Sequence, residues 1–206
     1  GRRWVTPGGT AIAASLLIRP QLPPEHASMM TLLAGMAVVR SVREVTGLEA
    51  QIKWPNDAVL DGRKISGTLT EMSMELGAIN YIVIVTGINA NVTEFPEELR
   101  ETATSLFLQK QEKTDRGALL CAYVRAFEEF YERFMEHQDM TALLDDYHEM
   151  LINKDRKVRV LQPGAEYEGT ARGIDCRGQL LVEKQDGSIE KVYAGEVSVR
   201  GSHQYT

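Results

Sequence analysis

"KWPNDAVLDGRKISG", Lys53 to Gly67, decides how this chain is read. Strand-like residues flank Asp61-Gly62, a pair suited to a two-residue hairpin because both positions tolerate φ > 0. A turn needs only those two residues. The stretch adds Lys53, Trp54, Pro55, Asn56, Asp57, Lys64 and Gly67. Two lysines on either side of a loop and hairpin can bring two compact cations to one anion, a carboxylate or a phosphate. Asp57 can hold such a lysine, or help coordinate a metal ion that accompanies a phosphate. Asn56 offers both donor and acceptor, and Pro55 stiffens the loop ahead of it. Trp54 offers a planar wall. Gly67, inside a strand pattern, lets a ligand approach the backbone. Singly, each has an ordinary explanation: Pro-Asn-Asp is turn chemistry, and strand lysines are commonly solvated. As a set they ask for a binding site.

Outward from this stretch the elements follow from periodicity. Residues 11–19 read as a buried strand ended by Pro20. Pro24 suits the first position of a helix, and Met29, Leu32, Leu33, Met36, Val39 and Val42 keep helical period up to a C-cap at Gly47. Leu76-Gly77-Ala78 marks a second turn. "YIVIV" (Tyr81 to Val85) reads as a central strand buried on both faces. "TGINAN" (Thr86 to Asn91) ends it, either as binding groups or as a turn with Gly87 as a bulge. A helical stretch from Thr114 to about Asn153 carries a stripe of Leu119, Leu120, Tyr123, Phe127, Phe130 and Phe134, and breaks near Gln138-Asp139 before a second helix over Thr141 to Ile152. Beyond Asn153 short strands alternate with turns at Pro163-Gly164, Arg177-Gly178 and Asp186-Gly187. The expectation is an α+β class, a mixed sheet with packed helices over residues 1–153, followed by a small β-barrel over 154–206.

Composition narrows the function. The chain has 206 residues, 43% hydrophobic and 25% charged, with a net charge of −6, which argues against a nucleic-acid surface as its main business. Cys121 and Cys176 form no C-x-x-C pair, which points to a reducing compartment. No apolar run approaches the roughly 20 residues of a membrane span, and no secretory pattern opens the chain. A cytoplasmic protein is expected. Neither phosphate-cradling glycine motif is present. Ser15 and Ser66 lack a G-x-S-x-G context. His26, His137, His148 and His203 are scattered, so no metal site is expected.

Lys53 to Asp57, Gly62 to Glu71 and Gly87 to Asn89 resemble the catalytic core of the biotin protein ligases, the biotin–[acetyl-CoA carboxylase] ligases. One departure is Thr68, where that family usually has isoleucine. "GIDCRGQLLVE" and "AGEVSVRG" resemble the family's C-terminal SH3-like domain, so the resemblance covers nearly the whole chain. "GRRW" (Gly1 to Trp4) looks like the end of the family's Gly-Arg-rich loop, which closes over the ligand. The chain has no initiator Met. The rest of that loop, the upstream biotin-contacting segment and any helix-turn-helix are expected to be missing.

The resemblance implies a class II synthetase/biotin ligase-like sheet and a two-step reaction. Biotin and Mg-ATP give biotinyl-5′-AMP and pyrophosphate, and a lysine of a biotin carboxyl carrier protein then takes the biotin. It implies Lys64 as the bridge between biotin carboxylate and α-phosphate, Lys53 as a second phosphate contact, and Asp57 as the group that positions a lysine or accepts its proton. Gly67, with Gly1, Arg2 and Trp4, lies beside biotin; Asn56 and Asn89 lie near the nucleotide; Glu196 and Arg200 close over the phosphates. Many members of that family dimerise through the edge of the catalytic sheet, so a homodimer is one option, although no distinctive signal for one stands in this sequence. The alternatives are a bifunctional ligase and biotin-responsive repressor, if an upstream helix-turn-helix exists, and a lipoate–protein ligase. A further alternative is a non-enzymatic binding module with the β-barrel tail as its working part.

Overall fold

The computed structural model describes residues 7–162, 165–193 and 198–201. Strand β1 (Ile12–Ile18) leads through a 3-10 turn at Pro24–His26 into helix α1 (Met29–Thr46). Pro24 therefore opens a short turn, and the helix proper starts five residues later. Gly47 ends it in the left-handed conformation (φ 71°), its N–H returning to Arg43 O. Strands β2 (Gln51–Lys53), β3 (Asp57–Leu60), β4 (Arg63–Glu75) and β5 (Ala78–Ile88) follow. They complete an antiparallel sheet of order β1-β5-β4-β3-β2. Both tight turns have the backbone that hairpins select: Asp61 and Gly62 at φ 48° and 72°, Leu76 and Gly77 at φ 51° and 82°.

A one-turn helix α2 (Leu106–Lys110), with Ser105 as its N-cap, precedes α3 (Arg116–His137). The side chain of Asp115 caps α3 by accepting from the N–H of Gly117 and Ala118. Helix α4 (Leu144–Met150) comes after a 3-10 turn at Thr141–Leu143. Helix α1 lies almost wholly buried between the sheet and α3, and Gly35, Ala34 and Ala37 are among its buried residues. The expected α3 stripe holds except at Leu120, which is 37% exposed; the other five residues form core.

Among the described residues helices cover only one face of this sheet. Ile82, Ile84, Thr86 and Ile88 face α1 and α3, whereas Val85 and its neighbours Leu69 and Leu17 are exposed on the other face. The expectation that β5 is buried on both sides is thus corrected, and so is that of a buried β1, whose residues alternate in burial. A single helical layer makes these strands amphipathic.

The second sheet, β6 (Lys157–Gln162), β7 (Ala165–Ile174), β8 (Leu180–Glu183), β9 (Ile189–Val192) and β10 (Ser198–Gly201), is antiparallel in the order β10-β6-β7-β8-β9. Its apolar residues Val158, Val160, Ala171, Ile174, Leu180 and Val182 belong to the same buried cluster as the core of the first sheet. The class is α+β with a small β-barrel-type C-terminal unit.

Candidate active site

Strand register assembles the site. Lys53 pairs with Asp57 across β2–β3, Asp57 with Gly67 across β3–β4, Gly67 with Gly87 across β4–β5, and Gly87 with Ala13 across β5–β1. Residues directly opposite one another share a face, so these five form one row on the helix-free side. Three of them carry at most a methyl group. The row is a flat strip of backbone with an ionic group at one end. Gly87 is a paired strand residue and forms no bulge.

Lys64 joins that row through an irregularity. Alternation alone would place it on the face opposite Gly67, three residues away. The pairing shifts between Ala58 and Val59: Ala58 pairs with Ser66 and Val59 with Lys64, which leaves Ile65 as the extra residue. Ile65 turns into the core and Lys64 turns to the site. The segment after the 3-10 turn Glu97–Leu99 holds this distortion in place: Lys64 N–H donates to Thr102 O and Thr104 N–H to Lys64 O, both at 2.8 Å.

Lys64 Nζ lies 2.5 Å from Asp57 Oδ1. Lys53 and Asp57 are 7% and 8% exposed, so the charges sit where water screens them poorly. A Cβ on Gly67 would stand 2.9 Å from Lys64 Nζ and 3.4 Å from Asp57 Oδ1. The glycine is therefore required by the ion pair beside it. Asn56 fastens the turn to the next strand: its Nδ2 donates to Thr68 O at 3.0 Å, and Thr68 N–H donates to Asn56 O at 2.9 Å. Behind the row, a buried chain of hydroxyls runs from Thr68 to Thr86 (3.3 Å) and on to Tyr123 of α3 (2.9 Å). Thr68 thus does more than fill space. Burial pushes the Tyr123 phenol up to about 12, opposed by its bond to Thr86.

The structure thus brings Lys53, Asn56, Asp57, Lys64 and Gly67 together. Asn89 lies just past β5, buried, with its Nδ2 donating to Thr104 O. Asn91 ties Thr114, its Oδ1 accepting from Thr114 N–H and its Nδ2 donating to Thr114 O. Gly1, Arg2, Trp4 and Glu196 lie outside the described residues. Arg200 pairs with Arg159 in the second sheet; its side chain lies outside what is described. Trp54 is no wall for a ligand: at 1% exposure it is buried, with its indole N–H donating to Gly178 O. Sequence reasoning missed two things here, the Gly67–Gly87 pairing and the bulge. Two glycines in adjacent strand patterns were the available signal for the first. Among the described residues no group of His, Cys, Asp and Glu could hold a metal.

Residues 1–89 match the Biotin/lipoate A/B protein ligase family, and residues 155–200 match the Biotin protein ligase C terminal domain. The biotin–[acetyl-CoA-carboxylase] ligase of Mycobacterium tuberculosis is 30% identical over 203 residues, 96% of this chain and 72% of that protein. The chain belongs to the biotin protein ligase family. Another such relative is the bifunctional ligase/repressor BirA of Bacillus spizizenii, 36% identical over 201 residues. Its alignment covers 96% of this chain and 61% of the relative, so the chain spans about three fifths of that protein's length. Among solved structures, the biotin protein ligase from Aquifex aeolicus in complex with biotin and ATP superposes with a TM-score of 0.84 at 26% identity, over 98% of this chain and 83% of that one. The fold of this biotin protein ligase family member is thus that of a solved ligase.

Proposed function

We propose that this chain activates biotin with ATP and transfers it to a lysine of a biotin carboxyl carrier protein. The observation that carries the reading is the Lys64–Asp57 pair, 2.5 Å apart, at the end of a strip bare of side chains. A flat bicyclic ligand can lie on Gly67, Gly87 and Ala13 and direct its carboxylate at the Lys64 ammonium. In the first step a carboxylate oxygen bonds to the α-phosphorus of ATP and the bond to pyrophosphate breaks. Two anions must meet there. Lys64 bridges them and Lys53 takes a second phosphate oxygen, stabilising charge that builds in the transition state. In the second step the neutral amine of the carrier lysine attacks the acyl carbon, AMP leaves, and Asp57 orients the amine or accepts its proton. Magnesium enters as the counter-ion of the nucleotide, part of the substrate.

Asn56 and Asn89 contact the nucleotide: each amide nitrogen spends one of its two N–H groups on a backbone carbonyl, which fixes the side chain and leaves the amide oxygen and the second N–H to offer. Gly1, Arg2 and Trp4 close over biotin, and Glu196 and Arg200 over the phosphates. We divide the chain after Asn153; β6 starts at Lys157 and the C-terminal family match at 155. No helix of the described residues is long and apolar enough to cross a membrane, and a cytoplasmic location is part of the proposal.

The test is biotin-dependent exchange of labelled pyrophosphate into ATP by the complete protein, with lipoate in parallel. Exchange is expected with biotin and lost by about 10³-fold in Lys64→Ala, the scale of a removed transition-state donor. Exchange with lipoate alone would move the chain to the lipoate branch, and near-normal activity in Lys64→Ala would sink the assignment of that residue.

A further inference from the structure

The loop that carries Lys53 and Asp57 is held from outside its own sheet. Lys53 sits on the edge strand β2, and the residue after it reaches into the C-terminal unit. Trp54 Nε1–H donates to Gly178 O at 3.0 Å, and Trp54 N–H donates to Asn153 Oδ1 at 3.3 Å. Ile152 N–H bonds to Ile52 O at 2.9 Å, so residues 151–153 run along the open edge of β2. Trp54 and Asn153 are both buried, which makes these bonds hard to replace with water.

The turn that offers Gly178 O is rigid and closely fitted. The carboxylate of Asp175 accepts from the N–H of Arg177 and Gln179 at 3.0 and 3.1 Å, and also from Lys191 Nζ at 2.9 Å. Gly178 N–H returns to Asp175 O at 2.9 Å. Gly178 has φ 76°, and a Cβ there would stand 2.5 Å from Leu32 Cδ1 of α1. Only glycine lets this turn wedge between α1 and the Trp54 ring. Met140 N–H on Cys176 O and Ile174 N–H on His148 Nε2, at 2.8 and 2.9 Å, pin its flanks to the helical layer.

We propose that the Asp175–Gln179 turn of the C-terminal unit is a positioning element for the active-site loop, with Gly178 holding Trp54 and thereby setting Lys53 against Asp57. The proposal rests on the ligase reading above. The turn touches no substrate; it acts through Trp54. Without the Gly178 contact the loop is held only at Asn56 and by the long 3.3 Å bond from Trp54 N–H to Asn153 Oδ1, and a displacement near 1 Å is enough to cost about a hundredfold in rate.

The experiment compares the complete protein with Trp54→Phe, which keeps an aromatic ring but removes the indole N–H together with part of the bicycle, and with Gly178→Ala, which leaves the indole whole. Pyrophosphate exchange gives kcat and KM for biotin. Amide hydrogen exchange of residues 53–57 is read on the same samples, with 158–161 as internal control. Trp54→Phe is expected to lower kcat about tenfold, the scale of one lost hydrogen bond, with KM for biotin unchanged and faster amide exchange confined to 53–57. Gly178→Ala is expected to change both in the same direction. A bond of structural importance only would lower the melting temperature and leave kcat of the folded protein alone. Unchanged amide exchange at 53–57 in Trp54→Phe overturns the proposal, as does faster exchange with kcat at the wild-type level. If the unmutated protein shows no biotin-dependent activity, the ligase reading has failed, and the amide-exchange arm alone decides whether the turn holds the loop.

Discussion

The ion pair between Lys64 and Asp57 explains why residue 67 has no side chain. The atoms a Cβ would meet are the end of a flexible lysine and a carboxylate oxygen, with no backbone among them. A methyl group there displaces the ammonium and leaves the sheet intact. Gly67→Ala is therefore expected to keep its melting temperature within about 3 °C of the parent. Biotin-dependent pyrophosphate exchange should fall about a hundredfold, because the reacting charge is misplaced by roughly an ångström. Calorimetry and exchange on one preparation check both halves; a large loss of stability with normal activity in the folded fraction would make Gly67 a packing residue. Lys53, Asn56, Asp57, Lys64 and Gly67 were legible as one group because no turn needs them all. Trp54 was misread, since an indole followed by proline looks the same in sequence whether it faces a ligand or a neighbouring unit.

At the scale of elements, the turns and caps were written plainly. Asp61-Gly62 and Leu76-Gly77 adopt the positive φ pairs that two-residue hairpins need, and Gly47 closes α1 as a left-handed cap. The bulge at Ile65 was not legible: "RKIS" contains no glycine or proline to mark it, and the segment 102–104 that stabilises it lies some forty residues on. The helix-free face of β5 was not legible either, because "YIVIV" has the β-branched content of a strand buried on both sides. Leu76 is the element-level weakness. It holds φ 51° at a fully exposed tip, a conformation that asparagine tolerates better than a branched apolar side chain. Leu76→Asn should raise the unfolding free energy by about 1 kcal/mol. Urea denaturation would show a higher midpoint at constant slope; an unchanged midpoint would mean the tip frays before the sheet unfolds.

At the scale of the molecule, one apolar cluster runs through both sheets, so proton binding by buried groups is felt in the unfolding of the whole chain. Two phenols carry this linkage. Burial pushes Tyr123 up to about 12 and raises Tyr147 well above the usual tyrosine range. Both are fully buried. A raised acid holds its proton in the folded state after the unfolded chain has released it. The stability each contributes is fully present below the unfolded value near 10 and is lost as pH rises from there toward the folded value, at about 1.4 kcal/mol per pH unit per group. Tyr123→Phe removes one of the two and also the bond to Thr86, so at pH 8 it should be less stable by about 1 kcal/mol. Raising the pH to 11 should then narrow that gap by about 1 kcal/mol, because only the parent retains the Tyr123 linkage. Chemical denaturation of both proteins at pH 8, 10 and 11 measures it. A gap that stays constant across that range would show that Tyr123 ionises as readily in the folded protein as in the unfolded chain, and that the hydroxyl chain behind the site is reached by water.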